Sequence, residues 1–225
     1  MASKIDIHEL NEPDKLQVFF LRVRTFADKH RVRFYTGGGI VLLIALLAGG
    51  WYLYRENYQA SAAKISTQIF EAAAKVGSPA GDAEAIKGYK DFIARYPQSQ
   101  ATVTAYYRLG NIYLGRREYD AAIIAYQEFL KNSSSKSDLA TLAYSGLGAS
   151  QEGKKDFNKA LEAYDMAIKT SSAASFEALN FSNIARIHEA KNNPVKAAEF
   201  YKKALEKTTD PFMTLYLKRK IAILG

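Results

Sequence analysis

The stretch AYYRLGNIYLGRREYDAAIIAYQEFL, residues 105–130, decides how the rest of the chain is read. In its first half Tyr106, Leu109, Gly110 and Tyr113 fall on the spacing of a single helical face, and in its second half Ala122, Tyr126 and Phe129 do the same. Arg116, Arg117 and Glu118 separate the halves, so the stretch predicts two short helices joined by a turn. Small residues at Gly110 and Ala122 let the two backbones approach closely, while Tyr106, Tyr113 and Tyr126 fill the space beside them.

The second half of this unit recurs along the chain. AEAIKGYKDFIARYP, YDAAIIAYQEFLKNS, FNKALEAYDMAIKTS and PVKAAEFYKKALEKT align on Ala85, Ala122, Ala160 and Ala197, and on Tyr89, Tyr126, Tyr164 and Tyr201. Each series steps by 37, 38 and 37 residues. Ahead of the last three segments stand helices of one pattern: Tyr106 with Leu109 and Gly110, Tyr144 with Leu147 and Gly148, and Phe181 with Ile184 and Ala185. A period of this length predicts an all-α solenoid of antiparallel helix pairs, each burying its apolar face on its neighbours.

The pattern resembles the tetratricopeptide repeat, whose first helix carries an aromatic, a leucine–glycine pair and a tyrosine, and whose second carries small and aromatic residues. The resemblance implies a superhelix in which these motif residues serve packing. The repeats here run about three or four residues over the usual length, Phe129 replaces a small residue, and only Pro97 keeps the terminal proline in register. The helix before the first motif, ENYQASAAKISTQIFEAAAK, has no Pro or Gly between Tyr52 and Val76 and continues from the apolar segment ahead of it. At the other end Pro211 opens PFMTLYLKRKIAIL, a helix expected to cap the array by laying Phe212, Leu215, Ile221 and Leu224 on the last repeat.

Between Arg33 and Arg55 lie 21 residues without a charge. As a helix they span roughly 31 Å, the thickness of bilayer hydrocarbon. Phe34 and Tyr35 mark one end and Trp51, Tyr52 and Tyr54 the other, where rings suit the headgroup levels. Ala48-Gly49-Gly50 would offer a leader peptidase its small residues, but the long segment before the apolar run and the WYLY continuation after it favour an uncleaved anchor. Lys15, Arg22, Arg24, Lys29, Arg31 and Arg33 precede the span, against Arg55 and Lys64 after it, so the N-terminus is expected in the cytoplasm.

The chain thus divides into a cytoplasmic arm, 1–33, a transmembrane helix, 34–54, and an extracytoplasmic repeat domain with its C-terminal cap, 55–225. In the arm Leu16, Phe19, Phe20, Val23, Phe26 and Ala27 form one stripe, with Pro13 and Asp14 in the first turn and Lys15, Arg22 and Lys29 off the stripe. Such a helix suits an anionic inner leaflet or the docking surface of a protein partner.

The RYPQSQ turn, the 37-residue step, the basic arm and the single span ending in GGWYLY are together similar to the YfgM-type ancillary subunit family of the bacterial Sec translocon. That resemblance implies a single-pass inner-membrane protein whose periplasmic domain contacts translocon subunits, periplasmic chaperones or exported client polypeptides. A structural scaffold for another resident envelope complex, respiratory, cell-division or secretory, is the alternative.

Chemistry is sparse. Part of the net charge of +8 is the orientation signal, so it makes no case for nucleic acid. With no cysteine there are no disulfides, thiol catalysis or Cys-based zinc sites. Of His8, His30 and His188, the last occupies an aromatic position of its repeat and is expected to pack. TGGGI lies at the membrane boundary, without the context of a phosphate loop, and no metalloprotease or nucleophile-elbow motif occurs. No enzyme, cofactor, metal or small-molecule substrate is therefore expected. The expected activity is binding, in a concave groove lined by the first helix of each repeat: Tyr107, Asn111 and Leu114; Leu142, Ser145, Ala149 and Glu152; and Leu179, Ser182, Arg186 and Glu189. Tyrosine and leucine there favour a peptide with apolar anchors. Tyr107 and Ser145 stand where a carboxylate clamp would need lysine. The groove is either open to a partner or filled by the C-terminal helix.

Overall fold

The computed structural model describes residues 15–76, 79–133 and 137–225, which form helices and no strand. They divide into two compact units, Met1–Asn57 and Tyr58–Gly225. The expected helix start at Pro13 and Asp14, and His8, lie outside the described residues.

In the first unit α1 spans Lys15–Lys29, and α2, spanning Arg31–Val76, begins after the single residue His30. The apolar stripe of α1 is exposed, and Ile40, Val41, Leu42 and Leu43 of α2 are each more than half exposed although, as consecutive helical residues, they point in different directions around the helix. A helix apolar on all sides suits lipid rather than water. Among the described residues α2 is the helix long and apolar enough to cross a membrane.

The second unit is a stack of helix pairs. The part of α2 from Tyr58 onward pairs with α3 (Pro79–Arg95), Tyr58 meeting Tyr96 with ring centroids 5.3 Å apart. The pairs α4 (Gln100–Gly115) with α5 (Tyr119–Asn132), α6 (Asp138–Gly153) with α7 (Phe157–Thr170), and α8 (Ala174–Ala190) with α9 (Pro194–Lys207) follow, and α10 (Pro211–Leu224) ends the stack on α9. Each full pair turns in the same way. Arg117, Lys155 and Asn192 take left-handed φ of 61°, 62° and 53°. The next N–H, of Glu118, Asp156 or Asn193, donates to the carbonyl of Tyr113, Gln151 or His188 at 2.8–2.9 Å. This closes the orphan carbonyls of the first helix and aims the chain back along it. Asp156 and Asn193 then accept from the N–H three residues on and start the second helix.

Inside the stack Tyr89, Tyr126, Tyr164 and Tyr201 are buried, and the aligned alanines lie beside them with almost no exposure. The small residues are required by contact. A Cβ added at Gly110 would stand 2.6 Å from the Tyr126 ring, and one at Gly148 2.6 Å from the Tyr164 ring. Gly146, on the next helix, approaches Tyr126 from the other side and would meet it at 2.3 Å. One tyrosine thus locks its own pair and the pair that follows.

The cap differs from expectation. α10 docks through Leu217, fully buried, with Met213, Ile221 and Leu224 around it. Phe212 and Leu215 face outward. Met213, Leu217 and Ile221, at intervals of four, form the stripe that packs with Tyr201 and Ala204.

Candidate functional site

The first helices of successive pairs, α4, α6 and α8, carry the residues expected to line the groove, and the buried tyrosines of the second helices reach through to the same side. A buried phenol needs a partner for its O–H. Tyr126 donates to Asn111 Oδ1 at 2.7 Å, Tyr164 to Glu152 Oε2 at 2.9 Å, and Tyr201 to Glu189 Oε2 at 2.6 Å. In the first pair the partner comes from the next helix instead: Arg108 donates to the Tyr89 hydroxyl at 3.0 Å, its guanidinium 4.3 Å from the Phe70 ring centroid.

Each glutamate is then met by a cation two helices further along, on α8 for Glu152 and on α10 for Glu189. Arg186 grips Glu152 with both its Nε and a terminal nitrogen, at 2.8 and 2.7 Å, and Lys220 reaches both oxygens of Glu189 at 2.9 and 2.8 Å. Tyrosine, carboxylate and cation therefore form a ladder running from pair to pair. Burial and the neighbouring Glu152 push the Tyr164 phenol well above its ordinary value. Burial of Glu189 acts to raise its pKa, but hydrogen bonds from Lys220 and Tyr201 outweigh it and hold the carboxyl below the usual range.

This sorts the expected groove residues. Asn111, Glu152, Arg186 and Glu189 are committed to the ladder, and Ser145 bonds Asn180 Oδ1 at 2.9 Å, tying α6 to α8. Ser182 is buried. Tyr107 packs on the rings of Tyr126 and Phe129 at 6.2 and 5.5 Å. Leu114, Leu142 and Ala149 are half-buried, and Leu179 is 43% exposed. The face is left apolar, with its charges satisfied within the chain. His188 stacks on Phe200 at 5.4 Å with the planes 15° apart, and burial together with Lys196 and Lys191 lowers its pKa. It packs, as its repeat position implies.

A second candidate escaped the sequence reading. Between α3, α4 and α5 lies an open cavity of about 330 Å³ lined by Ile93, Tyr106, Leu109, Tyr113, Ala121 and Ile124, with Lys90 at its edge. The signal for it is in the repeat register. Where this pair has Ala121 and Ile124, the next has Lys159 and Glu162 and the one after Lys196 and Glu199, so only this pair presents apolar residues there. Among the described residues no group of three or more His, Asp or Glu is placed to hold a metal.

Two models of the tetratricopeptide repeat match the chain, one over residues 83–137 and again over 107–175, the other over 181–212. Among solved structures, a crystal structure of MamA protein is similar with a TM-score of 0.58 at 18% identity, over 72% of this chain and 81% of that one. Another MamA crystal structure gives 0.53 at 26% identity, over 63% of this chain and 77% of that one. MamA from residue 41 to its end, from Desulfovibrio magneticus RS-1, gives 0.53 at 18% identity over 63% and 75%. Comparison with curated proteins gives no match. These matches reach the repeat fold and stop short of the translocon-subunit family named above. The aligned tyrosines and alanines, the repeated turn and the family matches agree that this chain belongs to the tetratricopeptide-repeat proteins.

Proposed function

We propose that this chain is a single-pass inner-membrane interaction protein, N-terminus in the cytoplasm, that holds client or partner polypeptides beside the Sec translocon with its repeat domain in the periplasm. One observation carries the reading: the helix that enters the repeat array is apolar on every side over Ile40–Tyr54 and exposed throughout, with Arg31 and Arg33 ahead of the apolar run. A repeat array on such an anchor is a binding device with a fixed address. Binding free energy, not covalent chemistry, does its work. The face offered by Tyr107, Leu114, Leu142, Ala149 and Leu179 suits apolar anchors of an extended or helical segment, because the charges there are already paired and resist rearrangement. The α1 stripe, with Arg22 and Lys29 beside it, rests on the inner leaflet.

The test is purification of the full-length chain from its own membranes in mild detergent, with identification of what accompanies it. Translocon subunits and exported polypeptides are the expected companions, and Leu142→Asp with Leu179→Asp is expected to reduce the clients but not the yield of folded protein. A fixed set of respiratory, cell-wall or secretion components, with no translocon, overturns the reading in favour of a scaffold.

A further inference from the structure

The C-terminal helix carries two apolar faces, and the fold uses one. Met213, Leu217, Ile221 and Leu224 dock α10 on the array. About a third of a turn away, Phe212, Leu215, Tyr216 and Ile223 are 85%, 69%, 44% and 67% exposed. The last helix of a solenoid ordinarily ends the stack with a polar outer face. Four large apolar side chains on one stripe mark a covered surface.

We propose that a second copy of this chain covers it, the two α10 helices packing antiparallel about a two-fold axis. The order of residues along the stripe supports that occupant. With the axis passing between Leu217 and Lys218, Phe212 falls opposite Ile223 of the second copy, and Tyr216 falls opposite its Arg219. Both relations hold in reverse, as an isologous interface demands. Arg219 carries the stripe's one charge, and this arrangement sets its guanidinium beside the ring of the second copy's Tyr216, a favourable cation–π pair. Parallel packing would instead set Arg219 against Arg219. Tyr216 is held for the contact from behind, its ring edge-on to Tyr201 at 6.2 Å. The exposed area of the four residues comes to about 500 Å² per copy, so the pair buries about 1,000 Å², the lower edge of a specific interface. The dimer is accordingly weak and concentration-dependent.

The chain has no cysteine, so engineered thiols report without background. Two differently tagged full-length copies, one carrying Phe212→Cys and the other Ile223→Cys, are co-expressed and their membranes treated with a mild oxidant. This combination alters one of the two symmetric 212–223 contacts and leaves the other, and both Tyr216–Arg219 contacts, intact. The expected product is a cross-linked dimer bearing both tags. Phe212→Cys expressed alone gives none, because antiparallel packing separates the two 212 positions by about 16 Å, far beyond disulfide reach. Adding Leu215→Lys to both copies, which sets a lysine opposite Lys220 of the second copy, is expected to abolish the cross-link without changing circular dichroism or thermal midpoint, since Leu215 takes no part in the docked face. Absence of the mixed product, a preference for 212–212 pairing, or cross-linking to a different protein overturns the proposal.

Discussion

Gly146 and Gly115 put one chemical change in two surroundings. A methyl at Gly146 would meet the Tyr126 ring at 2.3 Å, and that ring is held by its bond to Asn111 and by Gly110 on its other side. The ring has nowhere to turn, so Gly146→Ala is expected to cost about 1–3 kcal/mol, as overpacking does. Gly115 has nothing within 4 Å of its added Cβ. There Gly115→Ala gains helix propensity, and the expected change is between none and about 1 kcal/mol of added stability. Urea unfolding of both variants checks the contrast, and equal effects would remove the packing explanation. Lys155 tests the turn in the same way. Its φ of 62° costs a side-chain-bearing residue about 1–2 kcal/mol, partly offset on glycine substitution by the freer unfolded chain, so Lys155→Gly is expected to gain up to about 1 kcal/mol.

At the scale of helices, the pairing was legible in the sequence because its determinants are local and periodic. Ala122 and Tyr126 lie one turn apart, and the same two residues return with every pair. The ladder was not, because its bonds join residues 12–15 and 31–34 positions apart, and the phenol's partner changes from pair to pair: Asn111 in one, Glu152 and Glu189 in the next two. Polar residues at groove positions looked available for a partner, but in the folded chain the buried phenols claim them. The cap formed with Ile221 and Leu224 docked as expected, but Phe212 and Leu215 were misplaced for a related reason. α10 has apolar residues at both Phe212–Leu215 and Met213–Leu217 spacings, and periodicity alone does not say which stripe meets α9. The ladder's worth is measurable. Glu152 and Arg186 pair through two bonds yet remain partly in solvent, so a double-mutant cycle of Glu152→Gln and Arg186→Met is expected to return a coupling of about 0.5–1 kcal/mol. A coupling indistinguishable from zero would make the contact incidental.

Taken whole, the repeat unit is a row of helix pairs held by nearest-neighbour contacts, so its stability varies along its length. Among the described residues, Asp156, His188, Glu189 and Glu199 have their pKa lowered by the fold, and these four lie in or at the start of α7, α8 and α9. For each, the unfolded chain takes up its proton at a higher pH than the folded one. Stability is therefore present above the unfolded values and is lost as pH falls, for His188 beginning near 6.5 and for Glu189 near 4.5. Protonating Glu189 also releases Lys220, the tie that holds α10 to α8. Acid is thus expected to loosen the C-terminal end first. Amide protection measured by hydrogen exchange at pH 7 and at pH 3 should fall over α8–α10 while α4 and α5 keep theirs, and Glu189→Gln should lower C-terminal protection at pH 7 and reduce its further change with acid. A uniform loss along the array would mean that the pairs unfold as one cooperative block and that the position of these groups does not matter.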